Sequence, residues 1–429
     1  MKSSDLLDKL PSVNELLEHP QLKSVADRLN RSVAASRVRG FLDQLAEEVR
    51  SRASETETSV AASVAESMRE LVSRASRYLT GGDPSHVGVT INATGRFRGA
   101  PWRSTPLADA AVERIVLAAS DFTSAPDASA AVPTGLPASN ASASLNRATG
   151  SPAAAVFSSR LAALWITLDS LPSGGEVVIA RGDLRTTDDC RIGALIERAG
   201  LQAVEVGASD QVSADDYAAA AGPNTVAVLR VSPDDPMASS SITTATSELA
   251  AIAHRHGAVL IEDAASGPLL DIASDAPHLS AAADGIAGSS LATIRQAGAD
   301  VVIARGDGLT GGPACGLVLA TTEAMQPIAE SPLGSILAAE AHVDAAMAAT
   351  VDLLTDRERF WHQVPLWSLL TTPLDNLRTR AERLAQQIEL GSGGIASGEV
   401  VELSASGSPG AAAAATGLPI LLPSVAVRL

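Results

Sequence analysis

The sequence predicts an α/β protein: a mainly parallel sheet between a helical N-terminal region and a small α+β C-terminal region. Three observations predict it. From about residue 90 to 345, short apolar runs rich in Val, Ile and Leu alternate with segments of helical periodicity. Before residue 82 the apolar residues recur only at helical spacing. After residue 345 a long helical pattern gives way to two runs that read as strands. The chain has 429 residues, 46% hydrophobic and 19% charged, enough for two or three domains and a sizeable core.

Residues 1–82 read as a helical domain. "SVNELLEHPQLKSVADRLN", "VRGFLDQLAEEVRSRA" and "SVAASVAESMRELVSRASRYL" carry the apolar period, and Gly81 with Gly82 supplies the stop. Residues 88–345 form the large α/β domain. Its expected strands are "EVVIAR" (176–181), "QAVEVG" (202–207), "TVAVLRV" (225–231), "AVLIEDA" (258–264), "ADVVIA" (299–304) and "GLVLAT" (316–321). Segments such as "SSRLAALWITLDSL" and "ELAAIAHRHG" read as the crossover helices. Residues 120–155, rich in Ala, Ser, Pro and Thr without a sustained period, read as a loose segment. Residues 346–429 form the C-terminal domain, from "LRTRAERLAQQI", "GEVVELSAS" and "ILLPSVAVRL".

Charge and cysteine narrow the function classes. The net charge is −17, yet residues 1–80 hold twelve basic and twelve acidic residues, so the whole excess lies downstream. An RNA partner would therefore meet the N-terminal region, where Arg28, Arg31, Arg37, Arg39, Arg50 and Arg52 cluster. A solvated helical face balanced by Glu47 and Glu48 is the competing reading. The two cysteines, Cys190 and Cys315, offer neither a metal site nor a disulfide framework and read as small buried residues. No apolar run has transmembrane length, and a cytoplasmic address without membrane contact is the expectation.

Lysine usage discriminates further. The chain has three lysines, Lys2, Lys9 and Lys23, so residues 24–429 contain none. Lysine chemistry in the large domain is excluded unless the N-terminal arm supplies the amine.

Six blocks carry a family resemblance. They are "LPSVNELLEHPQL", "INATG" (Ile91 to Gly95), "EVVIARGDL" (Glu176 to Leu184), "RHGAVLIEDAASGPLLD" (Arg255 to Asp271), "GDGLTGGPACG" (Gly306 to Gly316) and "LLTTPLDNLRTRAERLA" (Leu369 to Ala385). In order and approximate spacing they resemble the bacterial L-seryl-tRNA(Sec) selenium transferase family over nearly the whole chain. The resemblance implies the aspartate-aminotransferase-like fold of pyridoxal 5'-phosphate enzymes, fold type I. It also implies conversion of serine to selenocysteine on tRNA(Sec), a tRNA met through the N-terminal domain, and a homo-oligomer.

Family chemistry needs a carboxylate at the pyridine nitrogen and a lysine that holds the aldehyde and moves protons. Asp263 matches the pyridine-facing aspartate, at a strand end where open α/β sheets bind ligands. Its other reading is a loop carboxylate that caps the next element. Ser158 and Ser159 stand at the phosphate-binding turn and serve equally well as an N-cap. Gly308 occupies the position of the lysine, with Asp307 before it and Leu309, Gly311, Gly312 and Pro313 after it. Replacement by Gly removes the amine, so covalent cofactor binding is not expected.

Other positions depart too. Arg103 and Ser104 replace the family's arginine motif after "INATG", "SILA" (Ser335 to Ala338) replaces a segment expected to bind the selenium donor, and Arg305 stands beside Asp307. Arg305 is expected to neutralise Asp307 and to approach Asp263. The expected function is thus a divergent selenium transferase homologue, impaired or inactive as a pseudoenzyme. The alternatives are a pyridoxal phosphate enzyme that works without the lysine, and a non-catalytic tRNA-binding, regulatory or structural homologue.

Overall fold

The computed structural model describes residues 11–19, 22–23, 31–53, 71–72, 74–76, 78, 92, 105–122, 135–137, 139–187, 190–208, 211–232, 244–271, 290–392, 395–405 and 422–428. Lys2, Lys9, Arg28, Gly81, Gly82, Arg103, Ser104 and the block at Ile91 to Gly95, Asn92 excepted, lie outside them. The chain divides into two compact units, Met1–Thr94 and Gly95–Leu429.

In the first unit, helix α1 (Val13–Glu18) opens with a reciprocal cap. The Ser12 hydroxyl accepts from the Glu15 amide at 3.2 Å, and the Glu15 carboxylate accepts from the Ser12 amide at 2.7 Å. Helix α2 (Arg31–Ala53) follows, and Leu16, Leu22, Val38, Phe41 and Val72 pack into a small core.

The second unit begins with α3 (Asp109–Ser120), α4 (Asn140–Thr149), β1 (Ala153–Phe157) and α5 (Arg160–Asp169). Then come β2 (Glu176–Ala180), a 3-10 turn at Arg181–Asp183, the short pair β3 (Thr186–Thr187) and β4 (Cys190–Arg191), α6 (Ile192–Arg198), β5 (Gln202–Val206), α7 (Ala214–Ala220) and β6 (Thr225–Val231). Next are α8 (Thr246–Arg255), β7 (Val259–Asp263), α9 (Leu291–Gln296), β8 (Val301–Arg305), β9 (Gly316–Ala320), α10 (Thr322–Glu330), α11 (Gly334–Leu337), α12 (Ala341–Thr355), α13 (Arg357–Gln363) and α14 (Pro365–Leu370). The chain closes with α15 (Leu374–Gly391) and the antiparallel pair β10 (Glu399–Ala405) and β11 (Leu422–Arg428).

The seven-stranded sheet has the order β1-β9-β8-β7-β6-β2-β5, with only β9 antiparallel to its neighbours. Both faces are covered at the middle of the sheet, which is why strands such as β1, β8 and β9 are near-continuous apolar runs, whereas the edge strand β5 exposes Gln202 and Glu205. Val302, Ala304, Leu317 and Leu319 face one core; Val301, Ile303, Val318 and Ala320 face the other. The carboxyl ends of β1, β2, β6, β7 and β8 consequently share one edge of the sheet.

The expectation of a loose segment over 120–155 is corrected for its second half, which forms α4 and β1. Ser139 caps α4 by accepting from the Ser142 amide at 2.9 Å, and Gly150 ends it at φ 70°. Asp344 of α12 accepts from the Asn140 amide at 3.0 Å and from the Ser139 hydroxyl. Ala141 and Leu145 are fully buried. These are tertiary interactions and caps, which small polar residues do not advertise by periodicity. Strand β1, "AAAVF", is buried at all five positions although it is mostly alanine.

Candidate functional site at the carboxyl edge of the sheet

Asp263 is the last residue of β7 and is 1% exposed. Its carboxylate accepts from Nε of Arg160, at 2.8 Å to Oδ1 and 2.9 Å to Oδ2, and Oδ1 also accepts from the Ala265 amide at 3.0 Å. Arg160 is the first residue of α5 and its side chain is 1% exposed. The ion pair is sealed from water. Arg160 rather than Arg305 therefore meets Asp263.

Ser158 and Ser159 bridge β1 and α5. The Ser158 amide donates to the Leu337 carbonyl at 2.8 Å, and the Ser159 hydroxyl accepts from the Ala162 amide at 3.1 Å as the N-cap of α5. Both residues are exposed. The capping role assigned to this turn is present at Ser159.

The turn after β7 lies directly against the turn after β8. Ala265, at φ 48°, accepts from the Arg305 amide at 2.8 Å through its carbonyl, and Ser266 accepts from the Leu309 amide at 2.9 Å. These bonds bring Gly308 onto the Ser266 backbone. A Cβ built on Gly308 would lie 2.7 Å from Ser266 Cα and 2.9 Å from its carbonyl oxygen. Both atoms are backbone, so no rotamer change relieves the contact, and any side chain at 308 requires the two turns to separate. From the other side Trp367 Nε1 donates to the Leu309 carbonyl at 2.8 Å and holds the turn in place.

Arg305 and Asp307 form the neighbouring pair, with Nε 3.1 Å from Oδ1 and side chains 13% and 2% exposed. Burial holds the Asp307 carboxyl above the usual carboxylate range, and the Arg305 charge pulls it partly back. The sequence-based expectation for this pair is met. Cys315 is buried behind the loop, where burial pushes its thiol up.

Asp183, a residue the sequence analysis did not single out, lies on the same edge after β2. It is fully buried, accepts from the Val231 amide at 3.0 Å and from Arg185 at 3.1 Å, and burial raises its pKa to about 6. Arg230 and Glu262 pair at 2.6 Å nearby in the chain's β6 and β7. Asp183 and Glu262 lie inside the blocks Glu176 to Leu184 and Arg255 to Asp271, but the sequence analysis assigned neither a role. Arg160 had a weak signal, one basic residue opening the otherwise apolar "RLAALWITL".

A parallel sheet with one antiparallel strand, carrying an aspartate at the end of β7 and a glycine-rich turn after β8, defines the class as the aspartate-aminotransferase-like transferase fold. A solved structure of D-glucosaminate-6-phosphate ammonia-lyase shares the fold, with a TM-score of 0.51, 16% identity, and coverage of 75% of this chain and 76% of that one. A family model described as L-seryl-tRNA selenium transferase matches residues 91–427, and one described as selenocysteine synthase N terminal matches residues 9–45. The chain belongs to the L-seryl-tRNA selenium transferase family.

Relatives named L-seryl-tRNA(Sec) selenium transferase agree with this. The protein of Rhizobium meliloti (strain 1021) is 34% identical over 56% of this chain and 50% of its own length. That of Moorella thermoacetica is 30% identical over 90% of this chain and 78% of its own length. The Nitratidesulfovibrio vulgaris (strain Hildenborough) protein is 30% identical over 91% and 82%. The chain thus spans half the length of the Rhizobium relative and most of the other two.

The family is pyridoxal-phosphate-dependent. The residues present here do not fit that group. The carboxylate that would face a pyridine nitrogen has both oxygens engaged by Arg160, and the position that would carry the amine has no room for a Cβ.

Proposed function

We propose that this chain is a non-catalytic member of the selenium transferase family, one that retains recognition of the family's tRNA through its N-terminal unit. The observation that carries the reading is Gly308, pressed onto the Ser266 backbone in a chain whose residues 24–429 contain no lysine. A positioned acid or base alone is worth about 10²–10⁴-fold in rate, and the family's lysine supplies both proton transfer and attachment. Among the described residues the neighbouring cations, Arg160 and Arg305, are guanidiniums tied to carboxylates and offer no amine.

The match of residues 9–45 to the family's N-terminal model, together with the tRNA named in the family's description, supports the tRNA part of the reading. Action in the cytoplasm and assembly as a homo-oligomer belong to the same proposal. Among the described residues no helix is long and apolar enough to cross a membrane.

The test is a conversion assay with seryl-tRNA(Sec), selenophosphate and pyridoxal phosphate, run beside a filter-binding measurement on the same tRNA. The reading expects binding without selenocysteyl-tRNA. Product above the no-protein control would overturn it.

A further inference from the structure

We infer that Arg160 is a built-in replacement for the cofactor's ring cation, so that this chain excludes pyridoxal phosphate by occupying its anchor and not merely by lacking the lysine. The inference rests on the reading of this edge as an inherited cofactor site.

Asp263 is the place where the two requirements meet. A carboxylate 0% exposed in its side chain needs a partner that donates N–H and carries positive charge, because an unpaired buried charge is strongly destabilising. A protonated pyridine ring is such a donor. Arg160 Nε supplies the same charge and the same bond, at 2.8 Å and 2.9 Å, from within the chain. The remaining bond, from the Ala265 amide, closes the carboxylate's near side.

The placement follows from the fold. Side chains of a helix lean toward its N-terminus, so the first residue of α5 reaches back over the strand ends. Strand β9 separates β1 from β8 in the sheet, yet the turn before α5 still brings Arg160 to β7. To admit a ring nitrogen at Asp263 the guanidinium would have to leave, and with a side chain 1% exposed it has no route to water without reopening the edge.

One consequence separates this inference from a simple lack of the amine. Restoring the residue by Gly308→Lys would not restore cofactor binding, because the anchor would still be taken.

The experiment is equilibrium dialysis of the full-length protein against pyridoxal phosphate, with the native chain, Gly308→Lys, Arg160→Ser and Asp263→Asn. Arg160→Ser is expected to bind more than about tenfold tighter than the native chain, and to gain melting temperature with the ligand. The native chain and Gly308→Lys are expected to show no site that depends on Asp263. Stoichiometric binding by the native chain that Asp263→Asn abolishes would overturn the inference, as would a folded Arg160→Ser that binds no better than native.

If Arg160→Ser does not fold, melting temperatures of Arg160→Met, Asp263→Asn and the double variant decide. A double variant that melts above either single one supports the pair as a sealed internal replacement; additive losses contradict it. Asp263-dependent binding without product would remove this inference and leave the non-catalytic reading standing, whereas selenocysteyl-tRNA formation would remove that reading.

Discussion

Nε of Arg160 donates to both carboxylate oxygens of Asp263 at the carboxyl end of β7, and water reaches neither side chain. Removing one partner of such a pair strands the other charge, which costs about 3–5 kcal/mol. Asp263→Asn and Arg160→Met are each expected to lose stability of that order in urea unfolding. Combined, they should lose much less than the sum. Additive losses would show that the two groups do not interact in solution.

Gly308 gives a steric prediction. Gly308→Ala adds one Cβ against the Ser266 backbone, where overpacking costs roughly 1–3 kcal/mol. Thermal unfolding should register the loss, and Gly308→Lys should lose at least as much. An unchanged melting temperature for Gly308→Ala would mean that the two turns stand further apart than described.

Asp183 gives a pH prediction. Its folded-state pKa of about 6 lies above the ordinary aspartate value, so the folded state holds the proton more tightly than the unfolded chain. Its contribution is therefore fully present below pH ~4 and lost as pH rises through about 6, a change on the order of 2–3 kcal/mol. Asp183→Asn should flatten that part of the stability profile. A variant with the same profile as the native chain from pH 4 to 7 would assign the dependence to another group.

The tRNA reading predicts a salt effect. Arg39 is an exposed residue of α2, and Arg39→Glu should weaken tRNA binding and reduce the slope of log affinity against log salt by about 1. Equal affinity and slope in both proteins would take this face of α2 out of the interface.

The sequence made the sheet legible because buried parallel strands are apolar runs, and each of the six expected runs from 176 to 321 overlaps an observed strand. It did not reveal α4 and β1, whose stability comes from the caps at Ser139 and Gly150 and from contacts with α12. At the site, Asp263, Asp307 and Gly308 were legible because motif neighbours frame them. Arg160 was not. Its significance depends on a partner 103 positions away in the chain, and no local pattern encodes that pairing. The contact between Gly308 and Ser266 likewise joins two turns that only the alignment of β7 with β8 brings together.

What occupies Asp263 is measured most directly by a crystal structure of the protein grown with pyridoxal phosphate. The predicted density at the Asp263 carboxylate is the Arg160 guanidinium. A pyridine ring hydrogen-bonded there, with Arg160 turned away, would contradict it.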